Sequence, residues 1–452
     1  MRQPGDIIAH RGEYALIYDG DRDGMALGHV RGPDGTEYPP GYVAAIAARG
    51  YWQPTTPARK SVIVIEPVLK HPGHGDQSVH GRRGGSGIEV SPRSRVEPLK
   101  SGAERTFLTD DPTVMANLTP ALQDKLHSAV ADSFDGLTPE AMDANLESLY
   151  SRAQTSGALE AGTQWYAHGG DVSEEIGARH GLNREQSVGV VAAMSPQREW
   201  EDNVAVAGYI MKVGRENPHV PDLTRPVTKS VMVDGKAVKV TKSAHEWVTE
   251  DMASKGMGHP DDVIGKRLSD LPPATQGLLI RHMSQAGYFT DDGKPLSFQA
   301  MNKKGAIVTK KVGWASGDSN TAKALHIARS SPQDARAVID RELQGLKVRS
   351  FHNNLYLGTN NPHEHVTMDT HAMSAAAGRA YSSSTPQAKR FFGGPPSDAA
   401  HGMTGLYPVF AGSFRRVAAA HGIPAHQMQA VLWLQWRHET DNMPIITHTS
   451  RT

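Results

Sequence analysis

Hydrophobic and polar positions alternate in three different ways along the chain. Up to about residue 66, short apolar runs ("YALIYDG", "MALGHVRG", "SVIVIEPV") are separated by Asp-Gly and Gly-Pro turns. That is the pattern of a small β-rich module. Residues 67–105, around "KHPGHGDQSVHGRRGGSG", are rich in Gly, His, Arg and Ser and have no period, so they read as a flexible linker. From 106 to 452 the period becomes helical. Leu118, Leu122, Leu126 and Val130 recur every four residues, with Thr119-Pro120 as cap and first turn. "SVMVDGKAVKV" at 230–240 predicts a β-hairpin about an Asp-Gly turn. It lies in a stretch, about 215–315, that reads as an insertion into the helical domain. No fixed-period repeat is present. The expected fold is therefore mainly α, with a hairpin-bearing insertion and a β-rich module in front.

Within "SVGVVAAMSPQREWEDNVAVAGYIM", Val188, Val191 and Ala192 fit one buried helix face. Ser195 then predicts the cap of a new helix beginning at Pro196, whose missing N–H would be unpaired there in any case. Trp200, Val204, Ala207 and Met211 continue its buried stripe. Gln197 falls in that first turn, beside free backbone N–H groups, where it could meet an anion or a base edge. The plain alternative is an exposed polar residue. Asn203 points either to a neighbouring helix end or to water.

Composition narrows the chemistry. The 452 residues suffice for one large domain and a smaller one, or for two to three domains. Lys and Arg total 48 against 48 Asp and Glu, so a nucleic-acid partner would need a local basic patch. Without cysteine there are no disulfides, thiolate zinc sites or iron–sulfur clusters, and a metal would need His, Asp or Glu. No apolar run approaches the roughly 20 residues of a membrane helix, and the N-terminal residues have no signal-peptide pattern. No cofactor and no membrane partner are expected.

The densest chemistry lies in "DARAVIDRELQGLKVRSFHNNLYL" and the "VTMDTHA" that follows. The first reads as a helix, a turn at Gly345 and a second helix, with Val338, Leu343, Leu346, Phe351 and Leu355 as the apolar face. Lys347 starts the second helix, where the dipole and apolar neighbours disfavour its charge. Such a lysine can attack an electrophilic carbon. A helix over 348–357 and a loop at "GTNNPHE" can bring Asp369 back towards it. Competing readings are a solvated Lys347, an Asp369 that merely caps its helix, and a metal bound by His363, His365 and His371. His352 reads as a packing residue.

"LQGLKVRSF" followed by "VTMDTHA", with "AAMSPQREWEDN" earlier, resembles the helix-hairpin-helix base-excision DNA glycosylase superfamily. The resemblance implies that Lys347 is a Schiff-base lysine and that Asp369 activates the nucleophile and stabilises the sugar cation. It places Gln197 against DNA, and puts Asn203, Gly345, Arg349 and His371 on the nucleic-acid side. Two segments within 106–452 carry it. The hairpin has one glycine and no proline where that superfamily has "LPGVG"-like sequences, and the cysteine cluster of some members is absent. The C-terminal "GLYPVFAGSFRRVAAAHGIPAHQMQAVLWLQWR" resembles actinobacterial-phage proteins, and the linker resembles those of phage head-associated proteins. Host cytoplasm or virion is the location this implies.

The expected function is cleavage of the N-glycosidic bond of an extruded, modified or unmodified base, in duplex or single-stranded DNA. The alternatives are an inert glycosylase-like domain that binds DNA or phage head components, and a His/Asp metal enzyme.

Overall fold

A computed structural model describes the strands within residues 7–64 and residues 120–445, apart from 303–305, 315–316, 361–364 and 394–404. The linker expected at 67–105 and His363 lie outside the described residues. The chain divides into two units, Met1–Glu89 and Val90–Thr452. In the first, β1 (Ile7–Arg11), β2 (Tyr14–Arg22) and β3 (Met25–Arg31) pair as an antiparallel meander. The two-residue strands β4 (Glu37–Tyr38) and β5 (Gln53–Pro54) lie beside β3 and β1, and β6 (Ile63–Val64) pairs parallel to β3.

The second unit is mainly helical. Its first five described helices are α1 (Pro120–Ser133), α2 (Pro139–Ser156), α3 (Ala158–Ala178), α4 (Arg184–Met194) and α5 (Trp200–Glu216). The hairpin β7 (Pro226–Val233) and β8 (Lys236–Ser243) follows, then α6 (Ala244–Ser254) and α7 (Pro273–Gln285). A second hairpin, β9 (Ser297–Met301) and β10 (Ile307–Lys311), precedes α8 (Gly317–Arg329), α9 (Ala335–Glu342) and α10 (Leu346–Leu357). The unit closes with α11 (Thr370–Ala377), α12 (Pro386–Gly393), α13 (Tyr407–Ala420) and α14 (Ala425–Asp441). No described helix is long and apolar enough to cross a membrane.

Local signals set many of these boundaries. Thr138 accepts the N–H of Ala141 ahead of Pro139, and Asn183 with Gln186 forms a capping box on α4. Asp234 and Gly235 take positive φ values of 48° and 76°, the requirement of a tight two-residue hairpin turn. One expected boundary differs. Ser195 closes α4 instead of opening a helix, and α5 starts only at Trp200. Pro196 and Gln197 form a turn, and Gln197 has φ 58°, a left-handed conformation that no helix interior accepts.

Two apolar clusters make up the core. One joins α4, α5, α7 and α8 with residues of the 215–315 stretch, among them Leu223, Trp247 and Val248, so that stretch is part of the core. The other joins α1, α2, α11, α13 and α14. Helix α3 runs between them because it is small where it must be. A Cβ on Gly162 would lie 2.4 Å from the Val431 backbone of α14, and one on Gly170 would lie 2.2 Å from the Leu355 carbonyl of α10. These close approaches fix Trp165 and Tyr166, which lie between the two glycines.

Candidate active site

A cavity of about 80 Å³ opens where α3, α5, α10 and α14 converge. Lys347, Asp369 and Asn203 all line it, with Trp165, Trp200 and Trp433 among the walls. Trp165 sets the aromatic geometry, with ring centroids 5.3 Å from Trp200, 6.0 Å from Phe351 and 6.0 Å from Trp433. Flat, apolar walls of this kind suit a planar ring.

Lys347 enters from the first turn of α10. Its Nζ donates to the Ser195 carbonyl at 3.2 Å and to Ser195 Oγ at 3.0 Å, and it lies 5.3 Å from the Phe351 ring centroid. Burial holds the ammonium below the usual lysine range, and the Asp369 charge opposes that fall. Asp369 caps α11. Its Oδ1 accepts the Ala372 N–H at 2.8 Å and its Oδ2 accepts the Trp433 indole N–H at 2.9 Å. Capping thus engages one oxygen, while the other is aimed by a residue 64 positions away.

Asn203 lies inward and is 2% exposed. Its Nδ2 donates to the Val191 carbonyl at 3.0 Å, and its buried Oδ1 has no hydrogen-bond partner. Asn203 therefore presents an acceptor at the cavity. At the rim, Arg437 binds Glu199 at 2.8 and 3.2 Å and Asp441 at 2.9 Å.

The remaining expected residues lie apart from the cavity lining. Gln197 is exposed on its turn. Gly345 is exposed and caps α10 with φ −81°. Arg349 is buried, and its guanidinium donates to the Leu343 carbonyl at 2.6 Å and to Gln344 Oε1 at 3.0 Å, closing the hairpin from inside. His371 is half-exposed, 3.9 Å from the Asp441 carboxylate.

Sequence reasoning missed Trp165, Tyr166, Gln429 and Trp433. Tyr166 donates to Gln429 Oε1 at 2.5 Å, and burial pushes its pKa up. An aromatic residue at helical spacing signals a core face equally well, so the sequence contains no sign that these four meet the lysine.

His352 is buried, as its packing role implies, with Nδ1 3.2 Å from Asn353 Oδ1. His365 is buried against Asn353 at 3.3 Å. Among the described residues, metal-ligand spacing occurs at His245, His259 and Asp261, whose donor atoms lie within 4.8 Å of one another. None of the three lines the cavity.

The chain belongs to a family of unknown function, DUF7178, whose model matches residues 128–258 and 300–440. The matched segments contain every residue that lines the cavity. The match omits 259–299, a shorter stretch than the 215–315 marked by the sequence pattern. No curated protein and no solved structure matches the chain.

Proposed function

We propose that the protein cleaves the N-glycosidic bond of an extruded nucleotide in DNA, with Lys347 and Asp369 as catalytic residues. The observation that carries this reading is their convergence on one aromatic-walled cavity, the lysine with a depressed pKa and the aspartate aimed by Trp433. The C1′ carbon is out of reach in a stacked duplex, so the base must leave the stack and enter a pocket. The tryptophans supply stacking surfaces, and Asn203 Oδ1 supplies an acceptor for a ring or amino N–H.

In the reaction, the neutral Lys347 amine donates its lone pair to C1′. The C1′–N bond breaks and its electron pair leaves with the base, which takes up a proton. The attacking nitrogen loses two protons, one to the departing base and one to O4′ as the C1′–O4′ bond opens, which leaves a C1′=N imine and a free O4′ hydroxyl. Asp369 stabilises the positive charge that develops on the sugar. Because burial lowers the lysine pKa, more of the amine is neutral at a given pH than in an exposed lysine.

Borohydride trapping on oligonucleotides with varied lesions and modified bases is the test. The expected result is a covalent protein–DNA adduct that is lost in Lys347→Gln. Absence of an adduct and of base release on every substrate would transfer support to an inert, DNA-binding domain.

A further inference from the structure

A second cavity, of about 180 Å³, lies where the β7–β8 and β9–β10 hairpins leave the helical body. Among the described residues two lysines line it, Lys229 of β7 and Lys311 of β10, and no carboxylate does. Its walls also contain two buried polar atoms with no hydrogen-bond partner, Trp314 Nε1 and Gln285 Oε1. A buried donor without a partner is costly, so the indole N–H is a position where an acceptor would be gained. Lys229 Nζ lies 4.5 Å from the Trp247 ring centroid and 3.4 Å from His282 Nδ1. The other nitrogen of that imidazole faces Asp251 at 2.7 Å, and Arg281 also holds Asp251, at 3.0 Å. The nearby carboxylate is thus engaged by groups other than the lysine.

The adjoining hairpin is mostly basic. The β7–β8 hairpin carries Lys229, Lys236, Lys239 and Lys242 against Asp234 alone, and Lys236, Lys239 and Lys310 are exposed. Such a surface draws in anions and, in a chain with no net charge, is the kind of local patch that phosphate binding requires.

We propose that this cavity is a binding site for a phosphate group, held by Lys229, Lys311 and the Trp314 indole N–H. Gln285 Oε1 accepts a hydroxyl from the same ligand, a P–OH or a sugar hydroxyl. The phosphate can be free or part of a nucleic-acid strand. The chemistry of recognition is shared, and the site does not depend on which bond, if any, is broken at Lys347. It is nevertheless close to the first cavity. The Arg198 guanidinium, which lines the first, lies 5.2 Å from the ring centroid of Trp314, which lines the second.

The full chain is titrated with inorganic phosphate and, separately, with a short 5′-phosphorylated oligonucleotide, by calorimetry and phosphorus NMR. The expected result is saturable phosphate binding. Lys229→Gln with Lys311→Gln should weaken it tenfold or more. Trp314→Phe, which keeps an aromatic side chain and removes the N–H, should weaken it several-fold. Lys347→Gln, in the other cavity, should retain it. Displacement of phosphate by the oligonucleotide identifies a strand phosphate as the natural occupant, and phosphate binding without displacement identifies a free anion. Saturable binding of neither probe, or equal binding by the Lys229/Lys311 double variant, would overturn the proposal.

Discussion

Lys347 and Lys229 are both drawn into the protein, and burial pushes both below the usual lysine range, Lys229 to about 8. Their neighbours differ, and so do the roles proposed for them. Lys347 meets a serine hydroxyl, a backbone carbonyl and the field of Asp369, in a cavity with flat aromatic walls. Lys229 meets an indole face and an imidazole that burial keeps neutral, in a cavity with an unpartnered indole N–H. Desolvation alone makes an amine easier to deprotonate. What stands across the cavity decides whether that amine serves as a nucleophile or as a cation awaiting an anion. Lys347 has a carboxylate suited to a developing sugar cation, whereas Lys229 has a second lysine and a donor suited to phosphate oxygens.

The largest effect expected is complete loss of the trapped adduct in Lys347→Gln, which keeps much of the side-chain length and removes the proposed nucleophile. The same adduct gives a pH test. Only the neutral amine attacks, so the trapping rate should rise with pH and level off below 10.5, the ordinary lysine value from which Lys347 is lowered. A rate that still climbs past that value would mean that Lys347 titrates like an exposed lysine, and the contrast between the two sites would lose its first member.

Acid should damage both regions through their histidines. Burial lowers His282 and His352 to about 3 and His426 to about 4, from 6.5. The unfolded chain takes up these protons below pH 6.5 while the native chain refuses them until about pH 3–4, so the stabilisation is present above 6.5 and is lost as pH falls. Each group contributes about 1.4 kcal/mol per pH unit, so three together approach about 4 kcal/mol per unit. Urea midpoints at pH 7, 6 and 5 should drop steeply, and His282→Gln should make the decline shallower. A midpoint that stays level from pH 7 to 5 would show that these imidazoles are charged in the native state.

How much of this could be read from the sequence depended on how local the cause was. The β7–β8 hairpin was legible because Asp234-Gly235 supplies two positive φ angles within two residues. The Lys347–Asp369 corner was legible because one helix and one loop join the two residues, and Asp369 does cap α11. The Ser195–Glu199 turn was not. Proline is equally at home at the start of a helix and in a turn, and the contacts that fix this turn are distant in sequence. Lys347 holds Ser195, and Arg198 reaches the Gly313 carbonyl. The aromatic walls were hidden for the same reason. Trp165 and Trp433 sit on helices more than 200 residues apart in the chain, and nothing local marks either as facing a cavity.

Asp369 separates capping from catalysis at a smaller scale. Asn caps a helix about as well as Asp, but its Nδ2 cannot accept the Trp433 indole N–H. Asp369→Asn should therefore keep the cap, lose about 1 kcal/mol with that one bond, and lower the rate of adduct formation a hundredfold or more, the order seen when one electrostatic contact to the transition state is lost. Asp369→Ala should lose in addition about 1 kcal/mol of stability, because the Ala372 N–H is left without its partner. Full activity in the Asn variant would reduce Asp369 to a cap.

The smallest effect, at Gly345, bears on how the corner meets a strand. Its φ of −81° is open to any residue, and a Cβ there would meet nothing within 4 Å, so neither backbone strain nor packing demands glycine. Alanine would restrict the unfolded chain, worth about 0.4–1 kcal/mol in favour of folding. It would also cap α10 less well than glycine does, a loss of a few tenths to about 1 kcal/mol. The two terms nearly cancel, and Gly345→Ala should unfold within about 0.5 kcal/mol of the wild type. Its glycine is then free to serve close approach of backbone to a ligand. If a DNA strand passes over this turn, Gly345→Ala should weaken DNA binding severalfold with stability intact, while phosphate binding at Lys229 and Lys311 stays as it was. If both stability and DNA affinity are unchanged, the strand does not touch this turn.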